Sequence, residues 1–253
     1  MSDTDSALCR RLEEAALNAW PAARQLLVDG WVVRLADGYT KRANSATPLY
    51  PSQQPAATVA ACEQLYAACG LPAIVRLVDF AAPPGLDATL EQRGHRKVDL
   101  SLVLHRELEG DAPVAAGPAP REQRDLDAWL DAYYRLSAVP AATRPAHRAI
   151  VDAILPHHAL FEQIDGGVVA AVGMGVLEGD CFGLFDIVTD PARRGRGHGT
   201  ALVGGMLAWD VRAGARHAYL QVVAHNGAAR RLYARLGFAE RYSYWYRIPP
   251  SNF

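Results

Sequence analysis

Residues 193–200 read RRGRGHGT: three glycines at every second position, arginines before and between them, and His198 and Thr200 closing the run. The segment ahead of it, CFGLFDIVTD at 181–190, alternates as a strand. The segment TALVGGMLAWDVRAG at 200–214 sets Leu202, Val203, Met206, Leu207 and Val211 on one apolar stripe that Gly214 ends. A strand that runs through a glycine loop directly into a helix brings backbone N–H groups and the positive end of the helix dipole to one point, which attracts phosphate. Gly197 and Gly199 let the backbone approach a ligand with no Cβ in the way, while Arg194 or Arg196 can add charge. Spacing excludes the common nucleotide loops: there is no GxxxxGK[ST] run, and Thr200 stands where a dinucleotide fingerprint needs its third glycine. A plain glycine-rich turn with solvated arginines is the competing reading of the loop taken alone.

Downstream of the loop, HAYLQVVA (217–224) reads as a strand, Asn226 caps a helix GAARRLYARL ended by Gly237, and ERYSYWYRI (240–248) alternates as a last strand. Upstream lie two helices, QRDLDAWLDAYYRLS and RPAHRAIVDAILP, then HALFEQID and VVAAVGMGVL. Turns at Gly166-Gly167 and Glu178-Gly179-Asp180 make these last two segments and 181–190 an antiparallel meander. DAPVAAGPAP at 111–120 has three prolines and no periodicity, and it marks a boundary between domains 1–112 and 113–253. The first begins with an amphipathic helix carrying Leu8, Leu12, Ala15, Ala16 and Trp20. GWVVRLADGYTKRA follows as strand, Asp37-Gly38 turn and strand; PAATVAACEQLYAACG is a helix, LPAIVRLVDF a buried strand, LDATLEQRG a helix and KVDLSLVLH a strand. Residues 86–106 and 229–247 share a helix, a glycine cap and an alternating strand; either the halves are copies of one fold or the unit is generic.

At 253 residues, half of them apolar, the chain has material for two cores. A net charge of −1 carries no basic excess, so nucleic acid is not expected as a partner. The four cysteines form no CxxC pair and no zinc spacing, which points to reduced thiols, no metal and a cytoplasmic protein. The polar N-terminus is not a signal peptide, and GGVVAAVGMGVL at 166–177 is too short for a bilayer, which takes about 20 apolar residues, so no membrane is expected.

The run IVTDPARRGRGHGTAL resembles the acyl-CoA motif of the GNAT superfamily of N-acetyltransferases, a proline followed by R/Q-x-x-G-x-G/A, met by Pro191, Arg194, Gly197 and Gly199. Asn226 stands 27 residues after Gly199, and NGAARRLYARLGF resembles the second motif of that family through Asn226, Ala229, Leu232, Tyr233, Gly237 and Phe238. The resemblance covers most of 121–253 and implies an α+β GNAT fold: a central, mostly antiparallel twisted sheet flanked by helices. VAAG at 114–117 is the candidate for its first strand. The first half resembles the N-terminal region of two-part GNAT proteins but lacks the glycine run, which implies a tandem chain with a degenerate first copy. On this reading 1–112 binds no CoA by itself, and 113–253 by itself retains CoA binding but loses activity or solubility.

The resemblance further implies acetyl-CoA as cosubstrate. Its pyrophosphate would lie on the N–H groups of Arg194, Gly195, Arg196, Gly197, His198, Gly199 and Thr200. Its pantetheine would run beside Ile187, Val188 and Thr189, with Asn226 and Ala229 on the other side; Asn226 serves equally well as a helix cap. Transfer needs a neutral amine, a base or water chain to remove its proton, and an acid for the departing thiolate. Tyr233 matches the family acid. For the base, Asp186, Glu162 and a water-relayed path compete, while His198 and His225 read better as solvated or backbone-bonded side chains. Arg42, Asn44 and Ser45 either line the acceptor pocket or form a polar strand end. The expected partner is a small-molecule or peptide amine, a homodimer is compatible with the chain, and a non-catalytic acyl-CoA sensor is the rival function.

Overall fold

The computed structural model describes residues 3–50, 52, 54–108 and 117–250. Helix α1 (Asp3–Asn18) opens the chain and buries Cys9, Leu12, Ala15 and Ala16. Asp29 and Gly30 then take left-handed φ values of 44° and 80°, which suits a two-residue hairpin, and fold β1 (Arg24–Val28) back on β2 (Trp31–Leu35). The hairpin expected at Asp37-Gly38 is thus one turn earlier. Asp37 and Gly38 do turn the chain, but into a single 3-10 turn at Lys41–Ala43 before β3 (Ala46–Pro48). Asn44 holds that loop: its Oδ1 accepts from the N–H groups of Ala36 and Gly38, and its Nδ2 donates to the carbonyls of Tyr39 and Thr40. The first half continues with α2 (Pro55–Ala68), β4 (Val75–Val78), α3 (Leu86–Gln92) and β5 (Arg96–Glu107).

In the second half β6 (Arg121–Gln123) is the first described strand and pairs with residues 160–162; of the first strand expected at 114–117, residues 114–116 lie outside the described residues. Helices α4 (Leu126–Leu136) and α5 (Arg144–Asp152) precede the meander of β7 (His157–Asp165), β8 (Val168–Glu178) and β9 (Cys181–Thr189). Helix α6 (His198–Arg212), β10 (His217–Val223), α7 (Gly227–Arg235) and β11 (Ala239–Ile248) complete the chain. The α6 stripe buries Leu202, Val203, Met206 and Leu207, each worth roughly 1.5–3 kcal/mol in water-to-core transfer. Close packing fixes Gly205 of α6, where a Cβ would meet Pro120 Cδ at 2.0 Å. Among the described residues no helix is long and apolar enough to cross a membrane.

The eleven strands among the described residues join one sheet in the order β1-β2-β3-β4-β11-β5-β10-β9-β8-β7-β6. Each half runs as antiparallel strands up to one parallel pair, β3–β4 in the first and β9–β10 in the second. The next position is filled from the other half: β11 lies against β4, and β5 lies against β10. The two helix-glycine-strand units that look alike in sequence, α3-β5 and α7-β11, are therefore exchanged at the centre and pair with each other. Helix α1 spans the junction. Its Glu13 forms a buried ion pair with Arg76 of β4 and accepts from Tyr242 of β11, while Asn18 donates to Glu178 of β8.

Candidate active site

β9 and β10 pair in parallel only as far as Leu184 and Leu220. Beyond that point β10 stays with β5 through Val223, whereas β9 bends away, because Asp186 and Ile187 together face the single residue Gly173 of β8. Such a bulge bends the strand, and Asp186 takes a left-handed φ of 50° to make it. Gly173 lies opposite, and a Cβ there would sit 2.5 Å from Ile187 Cδ1, so any larger residue would push that side chain aside. The parting strands open a cleft of two chambers, about 600 and 620 Å³, that share Ile187, Val188, Asn226, Ala229 and Tyr233.

The first chamber is the glycine loop. Gly195 and Gly197 have φ of 78° and 85°, open only to glycine at low cost, and α6 presents its unpaired N–H groups just behind them. Arg193 anchors the loop from outside on Asp165 at 2.5 Å, and the Asp190 side chain accepts from the Ala192 N–H. Of the residues expected to hold a phosphate, Arg194, Gly195, Gly197, His198, Gly199 and Thr200 line this chamber; Arg196 is exposed and does not. His198 Nε2 lies 3.4 Å from the Asp165 carboxylate, outside the second chamber. Arg231 and Arg235 of α7 also line the wall, and four-residue spacing on one helix face is the signal that could have found them. Three arginines and no carboxylate make this a chamber for a polyanion, so its residues fit the diphosphate of a CoA thioester.

Tyr233 stands at the junction. It is 8% exposed, its ring packs edge-on against Phe238, and burial alone pushes its hydroxyl up to about 12. Asn226 accepts from the Ala229 N–H as a helix cap while also lining both chambers.

The second chamber holds Asp186. Its Oδ1 accepts from Tyr133 at 3.3 Å, and its Oδ2 lies 2.9 Å from Nε2 of His147, which is wholly buried. His147 Nδ1 is 3.1 Å from the Tyr134 hydroxyl, whose single proton goes to the Arg144 carbonyl at 3.0 Å. Burial, reinforced by the Asp186 charge, pushes the Tyr39 and Tyr133 hydroxyls well above the usual phenol range. Glu162 is elsewhere: it is buried on β7 in an ion pair with Arg121 and lines neither chamber. His225 lines the second chamber, as do Trp20, Tyr39, Arg42 and Asp99 from the first half. Asn44 and Ser45 are buried behind the loop and do not. Tyr133 and His147 escape sequence reading because, on amphipathic helices, an aromatic or a lone histidine looks like packing.

A family model described as probable histone acetyltransferase Rv0428c, C-terminal, matches residues 6–247. The chain is 28% identical over 244 residues to the uncharacterized N-acetyltransferase YobR of Bacillus subtilis strain 168, covering 94% of this chain and 98% of that one. It is 27% identical over 242 residues to the probable histone acetyltransferase Rv0428c of Mycobacterium tuberculosis, covering 92% and 71%. Among solved structures, a GCN5-related N-acetyltransferase from Kribbella flavida aligns over 100% of this chain and 97% of its own, with a TM-score of 0.71 and 19% identity. A tandem GNAT protein from the clavulanic acid biosynthesis pathway aligns over 99% and 97%, with a TM-score of 0.62 and 16% identity.

Proposed function

The chain belongs to the Rv0428c acetyltransferase family, within the GNAT acetyltransferases, and from that premise we propose that it moves an acetyl group from acetyl-CoA to a primary amine by direct attack in a ternary complex. The observation that carries the reading is the continuous cleft, with a three-arginine, carboxylate-free chamber at one end, Asp186 at the other and Tyr233 between them. Acetyl-CoA supplies an activated acyl carbon and a thiolate leaving group. The loop glycines and the start of α6 hold its diphosphate, and the parted edges of β9 and β10 receive the pantetheine.

As the C–N bond forms and the C–S bond breaks, Tyr233 passes its hydroxyl proton to the sulfur and is reprotonated by the second proton that the nitrogen sheds in becoming an amide. The amine must shed a proton to expose its lone pair, and Asp186 takes it. His147 Nε2, 2.9 Å from Asp186 Oδ2, stands beside the carboxylate that holds this proton until it is released to solvent. The net change is one proton released per acetyl group transferred from an ammonium. Neutral Tyr233 suits its role, because its raised pKa keeps the proton available throughout the physiological range.

In this reading 1–112 and 113–253 are two copies of one fold, the first without a phosphate site: the stretch from β3 to α2, LYPSQQ at 49–54, contains no glycine. Cys9, Cys62, Cys69 and Cys181 are free thiols, which suits the cytoplasm. Calorimetric titration with acetyl-CoA tests the donor half of the proposal. One site per chain is expected; a folded protein that takes up no acetyl-CoA overturns it.

A further inference from the structure

Arg42 lines the second chamber as a cation without a counter-charge. Its guanidinium lies 5.5 Å from the Trp20 ring centroid and 5.8 Å from that of Phe185, the residue before Asp186. Among the described residues it makes no side-chain hydrogen bond or ion pair, and its Nε is buried without a partner. The neighbouring cations differ. Lys41 Nζ is 2.8 Å from Asp99, Arg76 is paired with Glu13, and Arg34 donates to the carbonyls of Leu17, Trp20 and Arg42. Burial first, and then the charges of Arg76 and Arg42, bring Arg34 down to about 10, so these three guanidinium groups repel one another with Glu13 as the carboxylate among them. An uncompensated, partly buried charge is costly to keep, and here the loop is built to keep it: Asn44 fixes the backbone and Trp20 donates its indole N–H to Thr40.

We propose that Arg42 is an anion subsite of the acceptor chamber, and that the acceptor is a small amine bearing a carboxylate, an amino acid or short peptide, whose carboxylate pairs with the guanidinium. The proposal rests on the acetyl-transfer reading above. A planar guanidinium held beside a stacked pair of aromatic rings offers a fork of N–H donors that matches a carboxylate. The opposite end of the acceptor, an ammonium before deprotonation, meets Asp186 and its surrounding rings. A single guanidinium balances one monoanion; the chamber that fits a phosphate dianion is the other one, with three arginines. A chamber of about 620 Å³ suits a small molecule. A lysine side chain in a basic protein tail would bring a second cation toward Arg42 and gain nothing from it.

The test is thiol release from acetyl-CoA with matched acceptors: the common amino acids and glycyl dipeptides, their C-terminal carboxamides, aminoalkyl phosphates, and a lysine-rich peptide. The expected result is a kcat/KM for the acids about 10- to 100-fold above that for the amides, the scale of one charge-assisted contact. Arg42→Gln should raise KM for the acids and shrink that ratio toward one, and Arg42→Lys should recover part of it; acetyl-CoA affinity reports that each variant is folded. Equal use of acid and amide, a ratio unmoved by Arg42→Gln, or preference for the phosphates or the lysine peptide overturns the proposal. If no amine releases thiol while acetyl-CoA still binds, it is the transfer reading that fails. Calorimetry of the same matched pairs on the CoA-loaded protein then decides the subsite: Arg42-dependent binding of acids over amides supports it, and its absence overturns it.

Discussion

Tyr233 is where the chemistry can be tested one atom at a time. Tyr233→Phe keeps the ring against Phe238 and removes the hydroxyl, so acetyl-CoA affinity should hold while single-turnover transfer falls about 10²- to 10³-fold, the lower part of the range for general acids. A rate within about threefold of the parent would instead make water the proton source. The pH profile provides a second readout, since a phenol raised to about 12 stays protonated well past its usual range. The rate should therefore show no alkaline fall near pH 10, the ordinary tyrosine value. Tyr233 and the glycines are legible in sequence because each sits at a fixed offset in a short motif. Asp186 is only half legible: strand alternation does not reveal the bulge that turns it, and its partners Tyr133 and His147 come from helices 53 and 39 residues away. Arg42 is read as one of two alternatives, and the structure separates it from Asn44 and Ser45 because those two side chains are buried behind the loop.

Elements add constraints that no single residue shows. Gly197 at φ 85° has open space where a Cβ would go, so Gly197→Val acts through the left-handed backbone and through bulk placed in the phosphate chamber. Calorimetry should show acetyl-CoA binding abolished in a variant that still melts cooperatively, a few degrees lower because of the backbone strain; retained affinity would remove the loop from the site. The pairing of β5 with β10 carries a different dependence. His105 Nε2 meets His217 Nδ1 at 3.1 Å, and burial, then the His217 charge, brings His105 down to about 4. A histidine harder to protonate when folded than when unfolded gives stability that is full above its ordinary pKa of about 6.5 and lost as pH falls toward 4. The melting temperature should drop across that window, and His105→Gln should flatten the drop; an unchanged slope would mean other groups set it. Helices and strands of the second half are legible because their period and caps agree. The Asp29-Gly30 hairpin is not, since two Asp-Gly pairs compete and the Asn44 contacts that send the second one elsewhere are tertiary.

At the scale of the whole molecule, the sequence leads one to expect that 113–253 alone binds CoA while losing activity or solubility, and the strand exchange predicts that binding is lost as well. Removing 1–112 takes β5 from between β10 and β11 and α1 from across the junction, leaving backbone groups of both strands unpaired. The segment 113–253 alone should be insoluble or fail to bind acetyl-CoA, and co-expression with 1–112 should restore both; a folded, binding fragment would show that the exchange is dispensable. Such an exchange is invisible in a single sequence, because α3-β5 and α7-β11 look alike and nothing local says which half each strand completes. First-half residues Trp20, Tyr39 and Arg42 also line the second chamber, so removing 1–112 would strip its wall. The central claim is that this cleft transfers acetyl groups rather than merely holding an acyl-CoA. The most direct measurement follows free thiol and acetylated product together, by mass, from acetyl-CoA and a broad amine panel. The account predicts one thiol per acetylated amine, both lost in Gly197→Val; acetyl-CoA bound without thiol release on any amine would contradict it and leave a sensor.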